Sequence, residues 1–113
     1  MMKSLVTDKM VEDALQYLAR NSEVAAGAKA QRVRSEYKRK RVKARLMLES
    51  NEKAATMREA WAECQQAYVD ACEDEIEAIE AEEVHRNRRN AADTVIEAWR
   101  TLSSNQRAGA NFR

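Results

Sequence analysis

The stretch KAQRVRSEYKRKRVKAR, residues 29–45, decides the fold together with EAWAECQQAYVDACEDEIEAIEAEE, residues 59–83. The first contains nine lysines and arginines and one acid, Glu36, whereas the second contains ten acids and no lysine or arginine. Neither contains proline or glycine, and the whole chain has no proline and only two glycines. Helix formers of opposite charge on either side of a short polar stretch are typical of two antiparallel helices that face each other. We therefore predict an all-α fold, a long antiparallel helical hairpin that resembles a coiled coil.

The composition limits what such a hairpin can do. The chain has 113 residues, of which 35% are charged and 5% aromatic, and much of its apolar content is alanine. This predicts one domain without a large enclosed core or a deep substrate pocket. The chain has no glycine-rich phosphate loop, and its single histidine, His85, forms one Glu-x-x-His motif with Glu82 that is not repeated. We therefore predict a protein that is not an enzyme, with no catalytic residues, no metal site and no cofactor.

The two cysteines, Cys64 and Cys72, lie on one predicted helix. Eight residues of helix separate their Cα atoms by about 12 Å, which is too far for a disulfide between them. We interpret them as buried free thiols in a reducing compartment, with a disulfide to a second chain as the alternative. The chain shows no signal peptide and no apolar run of membrane-spanning length, so we predict a cytoplasmic protein without membrane contact.

Capping residues set the predicted bounds of the helices. Thr7 is a candidate N-cap for a short N-terminal helix, Asn21 and Ser22 are interpreted as a break, and Thr56 with Glu59 forms a capping box after a turn at residues 50–51. One helix running through the turn is the alternative. The predicted domain covers residues 1–104, with helices at residues 8–20, 23–49 and 57–103, and residues 105–113 are predicted to be a mobile tail.

Apolar stripes predict which faces of the helices meet. The stripe of the second helix is Ala26, Ala30, Val33, Tyr37, Lys40, Ala44 and Met47, and that of the third is Met57, Trp61, Cys64, Tyr68, Cys72, Ile76 and Ile79. A turn near residues 50–55 then brings Met47 to Met57 and Gly27 near Glu77. Farther along, Val95, Trp99 and Leu102 must be covered by the N-terminal helix or by a second chain, and we expect a homo-oligomer.

The cations of residues 29–45 extend around the whole circumference of the predicted helix, so some of them must face solvent. Closely spaced cations displace counterions from a phosphate backbone. We therefore predict a nucleic-acid contact at Arg34, Lys38, Arg39, Arg41 and Arg45. The alternative is pairing with the opposite helix, since the predicted register brings acids against this block, namely Glu59, Glu63, Asp70, Glu73 and Asp74.

A second set of charged and aromatic residues is a candidate protein-binding surface. Its members lie in the acidic stretch and in the arginine-rich part that follows: Glu75, Glu77, Glu80, Arg86, Arg89 and Trp99. The alternative for the acids is interhelical pairing, the alternative for the arginines is a solvated stretch, and the alternative for Trp99 is packing in the helix contact.

The segment VIEAWRTL, residues 95–102, followed by NQR, residues 105–107, resembles a closing segment of small helical proteins of tailed bacteriophages. The opening VEDALQYLA, residues 11–19, is similar to the start of the same group. Proteins of this group are often encoded beside phage recombination or replication genes, including those of single-strand annealing proteins. The resemblance implies a role in phage DNA recombination within the host cytoplasm, and it assigns no site residues.

Three functions follow as hypotheses. The first is a non-enzymatic accessory protein of phage DNA recombination or replication that binds DNA or a phage or host recombination protein. The second is an inhibitor or adaptor that presents its acidic helix face to a host nuclease or defence complex. The third is a structural coiled-coil oligomeriser.

Overall fold

The computed structural model describes residues 5–111 and the side chains of residues 5–109. It contains helix α1 (Asp8–Glu49), helix α2 (Ala55–Glu63) and helix α3 (Gln66–Asn111), and no strand lies within residues 5–111. The two long helices pack against each other, and the chain turns back at residues 50–54. The prediction of an all-α helical hairpin is therefore confirmed.

Helix α1 begins where the capping residues predict. The Thr7 hydroxyl oxygen accepts a hydrogen bond from the Met10 backbone N–H at 3.2 Å, and Asp8 occupies the first turn, where the helix dipole favours an acid. The helix ends at Glu49, after which the Ser50 N–H still donates to the Leu46 carbonyl at 3.1 Å. The Ser50 hydroxyl oxygen accepts from the Glu52 N–H at 3.1 Å and so opens the turn.

The structure differs from the sequence prediction at Asn21 and Ser22, which lie inside α1 instead of separating two helices. Neither side chain caps a new helix. The Asn21 amide bonds to His85 and Arg89 of α3, and the Ser22 hydroxyl donates to the Ala19 carbonyl one turn earlier. The segments predicted at residues 8–20 and 23–49 therefore form one helix of 42 residues.

The predicted third helix also differs, because it is divided in two. Helix α2 begins at Ala55 after Ala54, with no side-chain cap, so the predicted capping box does not form. At its end the Cys64 N–H donates to the Trp61 carbonyl at 3.2 Å, and the Gln65 side-chain amide donates to the same oxygen at 2.9 Å. Helix α3 then continues to Asn111 and includes most of the tail predicted at residues 105–113, while residues 112 and 113 lie outside the described residues.

The chain divides into two compact units. One combines α1 up to Ala25 with α3 from Val84 onward. Its core consists of Val11, Ala14, Ala92 and Ile96, with Val6, Tyr17, Leu18 and Val95 packed against it. The N-terminal part of α1 thus covers the apolar residues around Val95, which was one of the two predicted alternatives.

The other unit, Ala26–Glu83, is held by small residues and ion pairs. Its buried positions follow the three- and four-residue spacing of a helix seam: Ser35 and Leu46 on α1, Ala71, Ala78 and Glu82 on α3, and Ala62 on α2. No large side chain in the described part of the chain is fully buried. The hairpin therefore has a narrow seam instead of a broad apolar core.

The predicted stripe of α1 is not the inner one. Tyr37, placed in the contact by the sequence, is 61% exposed, whereas Ser35 is buried. Arg32, which the predicted register puts opposite Cys72, instead pairs with Glu82. The observed register differs because α3 restarts after the break at residues 64–65, and because the inner stripe brings Arg32 and Arg39 onto acids of α3.

Candidate nucleic-acid interface

The cations of α1 divide into an inner and an outer set, and the inner set belongs to the fold. Arg32 pairs with Glu82, and the Arg39 Nε lies 2.8 Å from a Glu75 carboxylate oxygen. The side chains of Arg39 and Glu75 are 26% and 18% exposed. The hydrogen bond that Arg39 donates to Glu75 raises the pKa of Arg39 above its ordinary value. Arg39, a predicted DNA contact, is therefore engaged in the contact between the helices.

Lys43 is a second internal partner, close to the turn. Its Nζ bonds to Glu59 and lies 3.0 Å from a Glu63 oxygen, so it links α1 to the middle and the C-terminal end of α2. These two carboxylates raise the pKa of Lys43 well above its ordinary value. The predicted pairing of the basic block with Glu59 and Glu63 is confirmed at this lysine.

Four other cations form what we call the outer basic stripe: Arg34, Lys38, Arg41 and Arg45. Their spacings of four, three and four residues place them on one face of α1, over about 16 Å of helix. All four are exposed, and neither Arg34 nor Arg41 has an ion-pair partner among residues 5–109. Lys38 meets Asp74 at 3.4 Å and Arg45 meets Glu49 at 3.9 Å, both in exposed positions where such pairs are weak.

The outer basic stripe borders an open groove of about 740 Å³ between α1 and α3. Arg34, Lys38 and Arg41 line it on the α1 side. Asp74 and Glu77 line it on the α3 side. Its remaining lining is formed by shorter or neutral side chains, among them Ser35, Ala78 and Ala81. The groove exists because Ala81 and Ala78 provide no long side chain opposite the arginines.

The predicted protein-binding acids lie in two different environments. Glu75 is held by Arg39 within the seam. Glu77 and Glu80 are exposed, and neither has an ion-pair partner in the part of the chain that the structure describes. Of these three acids, the two exposed ones are accessible to another molecule.

The three candidate protein-binding residues in the C-terminal part of α3 also differ in their exposure and in their contacts. Arg89 is half-buried and donates to the Leu18 carbonyl at 3.2 Å and to the Asn21 Oδ1 at 3.3 Å, so it serves the fold. The Trp99 indole N–H donates to an Asp8 carboxylate oxygen at 3.2 Å, and its side chain is 37% exposed. Arg86 is exposed.

Sequence reasoning missed the polar cluster formed by Asn21, His85 and Arg89. The Asn21 Nδ2 and the His85 Nδ1 are 3.2 Å apart, and Arg89 binds the other end of the same amide. The available signal was positional, since His85 and Arg89 continue the seam spacing of Ala78 and Glu82. From the sequence alone, Asn21 is interpreted as a helix break, His85 as part of an unrepeated Glu-x-x-His motif, and Arg89 as a candidate binding residue.

Both cysteines are free thiols; Cys72 is half-buried, but Cys64 is exposed at the break before α3, so the prediction of two buried thiols is wrong for Cys64. Within residues 5–109, no three histidine, cysteine or acidic side chains come together in a way that could hold a metal ion. None of the described helices has an apolar stretch long enough to cross a lipid bilayer.

Comparison with known proteins gives no relative: no family model matches the chain, and neither a curated protein nor a solved structure is significantly similar to it.

Proposed function

We propose that this protein is a non-enzymatic nucleic-acid-binding accessory protein that uses the outer basic stripe of α1 as its contact. One observation carries the proposal. Arg32, Arg39 and Lys43 are engaged by acids of the hairpin. Within residues 5–109, Arg34 and Arg41 have no such partner, and they share a face with Lys38 and Arg45. The separation leaves a row of cations that the fold itself does not require.

The dimensions of this row suit a phosphate backbone. The stripe places one cation on each successive turn of α1, about 5.4 Å apart along the helix axis. Phosphates of one strand of B-form DNA rise by about 3.4 Å per nucleotide, so flexible arginine and lysine side chains on neighbouring turns can reach successive or alternate phosphates. Such contacts position a protein on nucleic acid without reading its sequence.

The process in which such binding would serve is suggested by the resemblance of residues 11–19 and 95–107 to small proteins of tailed phages. We propose a role in phage DNA recombination or replication, where an accessory protein meets single- and double-stranded DNA together with a recombination protein. The exposed acids Glu77, which lines the groove, and Glu80 are the surface that we assign to a basic region of that protein partner.

The experiment is fluorescence anisotropy with labelled single- and double-stranded DNA over a series of salt concentrations. The variant R34Q/R41Q removes the two cations of the outer basic stripe that have no ion-pair partner within residues 5–109. The variant K9Q/R20Q removes two exposed cations elsewhere on α1. We expect R34Q/R41Q to weaken binding at low salt and to reduce the slope of log K against log salt by roughly one to two, because each lost phosphate contact removes about 0.7–0.9 from it. K9Q/R20Q should leave both the binding at low salt and the salt slope unchanged.

Two results would contradict the proposal. One is the absence of DNA binding by the unaltered protein at low salt. The other is equal binding by the unaltered protein and R34Q/R41Q. Circular dichroism of all variants shows whether the hairpin is intact, and we expect it to be so because Arg34 and Arg41 contribute no ion pair within the described residues.

A further inference from the structure

The outer side of α3 carries a second apolar stripe that the hairpin does not cover. Val69, Cys72, Ile76 and Ile79 follow one another at spacings of three, four and three residues, which places them on one face. Val69 and Ile79 are each 40% exposed, and Ile76 is 56% exposed. Larger apolar residues therefore lie outside in the unit Ala26–Glu83, while Ala71 and Ala78 lie inside.

The groove shows which side of the hairpin this stripe occupies. Residues one position before the inner residues line the groove on both helices, as Arg34 does before Ser35 and Glu77 before Ala78. Residues one position after the inner ones therefore lie on the opposite side. We call this side the back face, and define it by Val33, Glu36 and Lys40 of α1 and by Cys72, Ile76 and Ile79 of α3.

Exposed apolar side chains indicate that this protein has apolar area to bury. Val69, Ile76 and Ile79 are each at least 40% exposed. No large side chain among residues 5–109 is fully buried. Helices of this length obtain most of their stability from packing of an apolar face, and α3 presents such a face to solvent.

We propose that the back face is the interface of a homodimer, in which two copies form a four-helix bundle around a two-fold axis parallel to the helices. This axis lays α1 of each copy over α3 of the other. Rotation about this axis does not shift any residue along the helix direction. The ion pairs within one hairpin therefore also show which residues of the two copies lie at the same height.

These levels give complementary neighbours. Because Arg32 meets Glu82 and Arg39 meets Glu75, Val33 is within about one turn of Ile79, and Lys40 is level with Glu73. Each Ile79 therefore contacts Val33 of the second copy. The exposed Glu73 receives Lys40 of the second copy.

Charge favours this arrangement over the other two-fold packing of the same face. The apolar stripe of α3 is bordered by Glu73 and Glu80, both exposed. Packing α3 on α3 would bring these acids of the two copies together, whereas the back face of α1 carries Lys40 beside its partner Glu36 and so brings less like charge. The outer basic stripe stays outside the dimer on the groove side, so the inference does not depend on the proposed nucleic-acid binding.

The first test is the oligomeric state by sedimentation equilibrium. We expect the unaltered protein to be a dimer and the variant I76K/I79K to dissociate at least about tenfold more readily, because two apolar contacts are replaced by charges. The variant A81K is the control, since Ala81 is also an exposed apolar residue of α3 but lines the groove on the opposite side. A protein that is monomeric at all concentrations, or a dimer that I76K/I79K does not weaken, would overturn the proposal.

The second test identifies the packing by oxidative crosslinking. Val33→Cys and Ile79→Cys are made separately in a chain whose two native cysteines are changed to serine, and the two proteins are mixed before oxidation. We expect a disulfide-linked dimer from the mixture and not from either variant alone. A crosslinked dimer from Ile79→Cys alone would show α3 packed on α3 and would overturn the assigned axis.

Discussion

Arg32 and Arg39 occupy inner positions of the hairpin where apolar residues are usual, and Glu82 and Glu75 receive them from α3. Removing charges from water is costly, and a buried ion pair contributes less to stability than well-packed apolar residues of the same volume often do. Its clearer effect is on register, because sliding α1 along α3 would leave these charges unpaired. We therefore interpret the two pairs as the features that fix how α1 and α3 align in the unit Ala26–Glu83.

This interpretation predicts the outcome of a double-mutant cycle. We expect Arg32→Met to lower the free energy of unfolding by about 2 kcal/mol, because Glu82, 8% exposed, loses the ion pair with Arg32. The variant R32M/E82M should recover to within about 1 kcal/mol of the unaltered protein. The measurement is urea unfolding followed by circular dichroism, at one fixed protein concentration.

The matched control for the cycle is Arg100→Met. Arg100 pairs with Glu97 at 2.9 Å, but both side chains are more than half exposed, so its loss should cost less than about 0.5 kcal/mol. Equal destabilisation by Arg32→Met and Arg100→Met would show that burial of the Arg32–Glu82 pair has no energetic consequence.

Among the elements, α2 depends on side-chain contacts more than its length suggests. A helix of nine residues without an N-terminal side-chain cap is not stable alone. It is held by Lys43 of α1, which bonds to Glu59 and Glu63, and by complete burial of Ala62. Tyr68 follows in the first turn of α3, where Cys72 and partial burial raise its pKa, against an opposing effect of Arg39.

These contacts predict a loss of stability at alkaline pH. Lys43 and Tyr68 both have a folded pKa raised above the ordinary values of 10.5 and 10.0. A raised folded pKa stabilises the fold fully below the ordinary value, and that stabilisation declines as the pH rises through the folded value. We therefore expect the free energy of unfolding to fall above a pH of about 10. The variant K43M/Y68F, measured by urea unfolding across the same range, should show a shallower decline, and an unchanged slope would contradict the assignment.

The sequence predicts the hairpin well but not which faces of its helices are turned toward each other. Charge segregation and the lack of proline depend on composition alone, so they indicate two antiparallel helices without knowledge of any contact. The sequence predicts a break at Asn21 because asparagine favours caps, and the residues that hold it, His85 and Arg89, are distant in sequence. The inner stripe is not predicted because alanines, Ser35 and paired charges form most of it, whereas Tyr37, Ile76 and Ile79 are exposed.

The same limit applies to the candidate site. All five predicted DNA contacts belong to one block of charge, and composition treats them alike. Arg39 differs from Arg34 and Arg41 only because Glu75 is opposite it, which depends on a register that the break at residues 64–65 resets. For this reason the sequence delimits the basic segment but cannot separate the residues that hold the fold from those left accessible.

At the scale of the whole molecule, each of the two units is stabilised internally by a different kind of interaction. The unit that contains Val11 and Ile96 has an apolar core cluster, whereas Ala26–Glu83 contains the interhelical ion pairs of Arg32, Lys38, Arg39 and Lys43. Salt screens ion pairs and slightly strengthens apolar burial, so it acts on the two units in opposite directions.

We therefore expect hydrogen exchange to respond to salt unevenly. Raising the sodium chloride concentration to about 1 M, where the screening length is about 3 Å, should lower amide protection within residues 26–83 more than within residues 8–25 and 84–109. Mass spectrometry of peptides from each unit provides the measurement. A neutral osmolyte at the same osmolarity is the control, and an equal change in both units would contradict the division of forces.

The hairpin also distributes its two tryptophans in a useful way. Trp61 lies in α2 within Ala26–Glu83, and Trp99 lies in the other unit, where its indole bonds to Asp8 near the start of α1. Each unit thus contains its own intrinsic fluorophore. Single-tryptophan variants can report the melting of either unit without any attached dye, and the order in which the two signals change would reveal whether the protein unfolds in one step or from one end.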